Sequence, residues 1–373
     1  MTPSIPQCNP LAAYRAQAAD IDAAISDTLA SGRYVLGPRV ASFESHFAQW
    51  VGCRHVLGVA SGTDALEMAL RALEIGSGDL VLTTSMSAVA TAVAIRATGA
   101  SPVFADIDPD HGLLDPSSAE ALFRMHGARI RAIVPVHLYG RCVDMNAIMS
   151  IARRYGAHVV EDCAQAHGAQ WEGRAAGTFG AFGSFSFYPT KNLGAIGDGG
   201  AITTDDAGLY ERIRLLREYG WRQRYVSEIE GGNSRLDEIQ AAVLGVKLLR
   251  LHEDNAARRR IAQLYRDGIS HRYVEVFQGG DEGHVYHQFV ILSDMRDALQ
   301  AYLAACGIGS LVHYPAAIHQ QPAYAVTDYI PLPLPNTERW AAKVLSLPMY
   351  PQMPLEDAHR VIDAINAWNA GAP

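Results

Sequence analysis

The chain has no surplus of positive charge, no long apolar run and no cysteine pairing pattern, and each absence removes a class of function. Its 31 Lys and Arg are outnumbered by 39 Asp and Glu, for a formal net charge of −8. It therefore lacks the basic footprint of a nucleic-acid binder. No apolar stretch reaches membrane-spanning length, and the first residues lack the charged, apolar and small-residue order of a secretory leader, so a cytoplasmic protein with no membrane partner is expected. Cys8, Cys53, Cys142, Cys163 and Cys306 are scattered, with no C-x-x-C pair and no histidine at zinc spacing. Neither disulfides nor a bound metal is expected. The phosphate-loop signature G-x-x-x-x-G-K-[ST] is missing too, and the glycine-rich runs 177–183 and 194–200 do not have the G-x-G-x-x-G spacing of a dinucleotide fold.

What is present is length and alternation. At 373 residues, 49% of them apolar, the chain can form two domains, each with a core. Strand-like runs at 56–59, 80–84, 102–106, 132–137 and 158–161 alternate with helical patterns at 64–73, 88–97, 117–125 and 144–155. That alternation predicts a mostly parallel sheet with helices on both faces. After Leu209 helical patterns dominate (209–219, 236–251, 254–265), followed by a strand at 285–292 and helices at 295–306 and 355–368. The expected division is a large α/β domain over 1–250, N-terminal segment included, and a small α+β domain over 251–373.

Three segments carry chemistry. Phe185-Ser186-Phe187-Tyr188-Pro189-Thr190-Lys191-Asn192 places a lysine in an aromatic setting just after a short strand. Lost hydration there favours the neutral amine that attacks a carbonyl, although a lysine at a strand end can also simply extend to water. His158-Val159-Val160-Glu161-Asp162 ends a buried strand on two acids, at the sheet edge where parallel folds bind ligands. Asp162 could face such a ligand or cap the following segment. Ser61-Gly62-Thr63-Asp64 leads from a strand into a helix, an arrangement that suits a phosphate and equally an ordinary helix cap.

Together with Gly32-Arg33-Tyr34-Val35-Leu36-Gly37-Pro38, Pro135-Val136-His137-Leu138-Tyr139-Gly140, Asn233-Ser234-Arg235-Leu236-Asp237-Glu238 and His313-Tyr314-Pro315, these segments resemble the DegT/DnrJ/EryC/StrS sugar aminotransferases along nearly the whole chain. The resemblance implies the type I, aspartate aminotransferase-like fold and pyridoxal 5'-phosphate as cofactor. It implies that Lys191 bonds the cofactor and shuttles the proton, that Asp162 holds the ring nitrogen and that Gln165 reaches the ring hydroxyl. Gly62, Thr63 and Ser186 would bind the phosphate, and Asn233 would reach it from a neighbouring subunit, making a homodimer with shared sites. The family often places an aromatic ring over the cofactor where this chain has Ala88, and Met86 offers sulfur contact in its stead. Tyr34, Tyr188, Trp221, His313, Tyr314 and His319 are the candidates for the sugar end.

The strings Leu216-Arg217-Glu218-Tyr219-Gly220-Trp221 and Arg224-Tyr225-Val226-Ser227 are similar to those of enzymes that aminate C3 of a dTDP-linked 3-keto-6-deoxyhexose with L-glutamate. The alternatives are a C4 aminotransferase of the same family and a non-catalytic regulatory protein that keeps the fold. A sugar dehydratase of this fold would have histidine in place of Lys191.

Overall fold

The computed structural model describes residues 4–277, 283–325 and 331–369. Strands β1 (His55–Val59), β2 (Leu80–Thr84), β3 (Ser101–Ala105), β4 (Ile130–Val134) and β5 (His158–Asp162) are followed by a small hairpin of β6 (Gln170–Trp171) and β7 (Arg174–Ala175). Then come β8 (Phe182–Ser186) and β9 (Gly200–Thr204). All but the hairpin form a seven-stranded sheet in the order β1-β9-β8-β5-β4-β2-β3. Neighbours are parallel except where β9 pairs with β1 and with β8. Every residue of β2 is buried, as its continuous Leu-Val-Leu-Thr-Thr run predicts for a strand covered on both faces.

Helices α1 (Pro10–Arg15), α2 (Ala18–Ser31) and α3 (Pro38–Val51) precede the sheet, and α4 (Gly62–Ala72), α5 (Ala90–Ala97), α6 (Pro116–His126), α7 (Met145–Tyr155) and α8 (Ala207–Leu216) link or flank its strands. The open N-terminus of α3 is capped from far along the chain, because the buried Glu238 carboxylate accepts from Gly37, Arg39 and Val40 N–H at 2.8–2.9 Å. So held, α3 sets Phe43 and Phe47 edge-on to Phe187 and Phe185, with ring centroids 5.3 and 5.2 Å apart. This aromatic block supports the end of β8.

Two strands differ from expectation. β4 stops at Val134 because Pro135 has no N–H for the ladder. β9 is not expected from the sequence, since Gly199 precedes it, Gly200 opens it and glycine lowers strand propensity. Glycine is nevertheless what β9 requires: a Cβ on Gly200 would lie 2.4 Å from the Ser61 carbonyl oxygen.

Past a hairpin of β10 (Trp221–Gln223) and β11 (Val226–Ser227), helices α9 (Glu238–Leu248) and α10 (Leu251–Gly268) lead to an antiparallel sheet of β12 (Glu275–Val276), β13 (Phe289–Leu292) and β14 (Val344–Leu347). Helices α11 (Arg296–Ala305), α12 (Pro335–Lys343) and α13 (Leu355–Ala367) complete this part. β13 begins at Phe289, later than its apolar run suggests, because Tyr286 has φ of 44° and breaks the extended backbone. Tyr265, Phe289, Ile291, Leu345 and Ile365 pack into one core with Ile5, whose N–H bonds the Gly307 carbonyl at 2.9 Å. The first residues thus pack with the C-terminal elements, whereas the expected division counts them with the larger unit.

Candidate active site

The ends of β1, β5 and β8 meet at one cavity of about 260 Å³. β1 runs into the turn Ser61-Gly62-Thr63, where Ser61 Oγ accepts from Asp64 N–H at 3.1 Å and starts α4. Gly62 permits the neighbouring strand end to approach, since a Cβ there would fall 2.6 Å from Ser186 Cβ. The amide ends of the first α4 residues and Ser186 therefore share one corner of the cavity, the kind of corner that holds a phosphate.

At the opposite wall Asp162, 5% exposed, accepts from Thr91 Oγ1 at 2.7 Å and from Ala164 N–H at 3.1 Å. Burial raises the pKa of this carboxyl, opposed first by the Thr91 and Ala164 hydrogen bonds and then by the charges of Lys191 and His137. Lys191 follows β8 in a turn closed by its own N–H to the Tyr188 carbonyl at 2.8 Å. Burial pulls the pKa of its amine from 10.5 down to about 8, with the Asp162 charge acting the other way. Its neighbours are kept neutral: His167, between the Phe185 and Phe187 rings, is pushed down to about 3 and His313 to about 4, each by burial first and then by Lys191.

Gly62, Thr63, Ala88, Asp162, Gln165, Ser186, Tyr188 and Lys191 all line this cavity. Gln165 is fixed by accepting from Tyr139 N–H at 2.6 Å and donating to Tyr314 Oη at 3.2 Å; its amide has a second proton to offer a ligand. Tyr314 thus borders the site through Gln165, and its neighbour His313 is held by Ser346 at 2.8 Å. His319 is elsewhere: it is buried against Ser85 at the end of β2, with Nδ1 2.7 Å from Ser85 Oγ. Tyr34 is half-exposed and bonds the Leu29 carbonyl, and Trp221 at the start of the β10/β11 hairpin packs tilted against Tyr219 and edge-on to Tyr225. Neither lines the lysine cavity, and Asn233 faces a different cleft, with Glu67, Arg71 and Glu230. Met86 is fully buried in the core beside the sheet, so its sulfur does not cover the site as expected.

Thr91, Asp198 at the cavity wall and a second, buried polar cluster carry no signal in the sequence alone. His137, Glu161 and Cys163 place potential ligand atoms within 4.8 Å of one another. The bonds of His137 and Glu161 are taken: His137 Nδ1 accepts from Val143 N–H and Nε2 lies 3.1 Å from Glu161, which also accepts from Gly177, Phe179 and Gly180 N–H. A satisfied network of this kind is structural.

The DegT/DnrJ/EryC1/StrS aminotransferase family model matches residues 15–366. The chain belongs to this family. It is 45% identical, over 98% of its length and 97% of the relative's, to the dTDP-3-amino-3,4,6-trideoxy-alpha-D-glucose transaminase of Streptomyces venezuelae. It is 43% identical, over 94% of its length and 95% of the relative's, to the dTDP-3-amino-3,6-dideoxy-alpha-D-galactopyranose transaminase of Aneurinibacillus thermoaerophilus. The solved structure of S. venezuelae DesV with a ketimine intermediate superposes with a TM-score of 0.94 at 45% identity, covering 98% of this chain and 99% of that one. The aminotransferase thus has the type I α/β fold expected of it. Its site also fits pyridoxal phosphate: a buried amine to bond the aldehyde, a buried carboxylate for the ring nitrogen and a helix start for the phosphate.

Proposed function

We propose that this protein uses pyridoxal phosphate to move an amino group from L-glutamate to C3 of a dTDP-linked 3-keto-6-deoxyhexose, acting as a homodimer in the cytoplasm. The observation that carries the reading is the partly buried Lys191 lining the same cavity as Asp162, with its amine pKa lowered to about 8. Names of relatives at 43–45% identity support the acceptor and the C3 position. No helix among the described residues is long and apolar enough to cross a membrane. The aminosugar would serve a lipopolysaccharide, an S-layer glycan or another glycosylated product.

When bound, the cofactor supplies an electron sink for the bond broken at the amino-acid carbon. The chain's own residues do the rest. Lys191 would hold the cofactor through its amine, and the same amine would carry the proton from the donor's substrate carbon to the carbon that accepts it on the cofactor. Asp162 would keep the ring nitrogen protonated, and Gln165 would offer its free amide proton to the ring hydroxyl. Gly62, Thr63 and Ser186 receive the phosphate, with Asn233 reaching it from the partner subunit. Its placement in an exposed cleft away from Lys191 fits such a role. Tyr188, His313 and Tyr314 border the acceptor side, and Tyr34 and Trp221 would serve it across the subunit boundary. His319 is better read as a support for the β2 end, given its two bonds to Ser85.

Borohydride reduction followed by peptide mass spectrometry should find the cofactor on Lys191, and Lys191→Ala should remove the adduct and lower turnover by about 10⁴-fold, the upper range for a positioned proton-transfer group. An adduct on another lysine would sink the assignment. Offered separately with glutamate, the 3-keto sugar should react on the order of a hundredfold faster than its 4-keto isomer, since the carbonyl must meet a fixed amine. A product with nitrogen at C4 by NMR would overturn the regiochemistry, and reaction only with UDP- or GDP-linked sugars would overturn the nucleotide. For the shared site, mixing Lys191→Ala with an impaired Asn233 variant should restore activity, because one site per heterodimer is then intact. Heterodimers without recovery would place Asn233 outside the partner's site.

A further inference from the structure

Among the described residues, Asp162 receives one side-chain hydrogen bond, from Thr91, 2.7 Å from Oδ2. Thr91 is the second residue of α5, 1% exposed. A threonine inside a helix can turn its hydroxyl back to a carbonyl of the preceding turn, but at the second position of α5 no helical turn precedes it. Here the hydroxyl leaves its own helix and crosses to the end of β5. Among the described residues, its hydroxyl has one further hydrogen-bond contact, Ser87 Oγ at 3.5 Å, the limit of a hydrogen bond. The proton of Thr91 is therefore committed to the carboxylate, and the Ala164 N–H fixes the other oxygen at 3.1 Å. Two bonds at two oxygens define the plane of the group, and Thr91 supplies the one that a side chain can change.

We propose that Thr91 is a positioning residue for the transamination: its hydroxyl fixes the orientation and charge of Asp162 toward the ring nitrogen of the cofactor. This rests on the reading of Asp162 given above. A carboxylate buried this deeply needs bonds that favour its ionised form, and without the hydroxyl it can turn or take up a proton. Either change weakens its hold on a protonated ring nitrogen.

The test compares full-length wild type, Thr91→Val and Thr91→Ser, each reconstituted with pyridoxal phosphate. The readouts are the cofactor dissociation constant, from titration of the visible band, and the single-turnover reaction with L-glutamate. Thr91→Val keeps the shape and loses the donor. It should weaken binding or slow the glutamate step by about ten- to a hundredfold, the worth of a hydrogen bond to a charged group. Thr91→Ser should stay within about threefold of wild type, because the hydroxyl remains. In an Asp162→Asn background Thr91→Val should add less than about twofold, since the partner is already gone. Should Thr91→Val fail to fold, Thr91→Ala takes its place in the same cycle. Wild-type behaviour of the hydroxyl-free variant, an equal effect in the Asp162→Asn background, or a Thr91→Ser as impaired as Thr91→Val each overturns the proposal. A wild-type enzyme without an adduct on Lys191 removes the functional reading itself, and the proposal with it.

Discussion

Glu161 and Asp162 are consecutive acids at the end of one strand, both buried, yet they do opposite things. The side-chain alternation of a strand sends them to opposite faces. Glu161 faces the protein interior, where three backbone N–H groups and His137 satisfy it completely. Asp162 faces the lysine cavity with two donors and a share of unfilled bonding capacity. The difference teaches that burial alone does not mark a functional acid. What marks it is burial with bonds left for something that is not protein.

The sharpest way to break this contrast is to exchange the losses. Glu161→Ala leaves three N–H groups and an imidazole without an acceptor, so unfolding in denaturant should show a loss of about 3–5 kcal/mol. The fraction that folds should turn over nearly as wild type. Asp162→Asn should do the reverse: stability within about 1 kcal/mol of wild type, and turnover reduced about a hundredfold, as when a preorganised electrostatic partner is removed. Equal stability losses in the two variants would mean that both acids are structural.

A smaller effect sharpens the Asp162 side. With its pKa lowered from 10.5 to about 8, the Lys191 amine is increasingly neutral as pH rises toward 8. Only the neutral amine attacks an aldehyde. Stopped-flow capture of pyridoxal phosphate by the apoenzyme should therefore speed up by nearly tenfold per pH unit between about 6 and 7.5 and level off above about 8.5. A rate that keeps climbing to pH 10 would show that burial does not control the amine. In Asp162→Asn the plateau should come at lower pH, because the carboxylate charge is what holds the proton on Lys191 against burial.

Lys191, Asp162 and the Ser-Gly-Thr turn were legible because each stands at or just beyond a strand end that the apolar runs already mark, whereas Gln165 was named only by the family resemblance. Their convergence follows from the parallel order of β1, β5 and β8. The division of labour between Glu161 and Asp162 was not legible: period-two alternation says that they diverge, not which face holds the cavity. The contact of His319 was hidden for a similar reason, since its partner Ser85 is 234 residues away and only the tertiary fold joins them. Thr91 resembled an ordinary helical residue, for its partner likewise comes from a different strand. β9 was hidden by the glycines that its crowded position demands.

That crowded strand also orders events during synthesis. β9 lies between β1 and β8, pairing Val59 with Gly200 and Ser186 with Gly200 at the corner where Ser61, Gly62 and Ser186 meet. Until the ribosome has released β9, the first and eighth strands have nothing to bridge them, however well the parallel core between has formed. The phosphate corner is thus a late product of folding, made by the contact of longest reach in the sheet and subject to its slow loop closure. A nascent chain emerging from the N-terminus would hold a nearly complete sheet and still be unable to retain its cofactor, which ties loading to the finished domain.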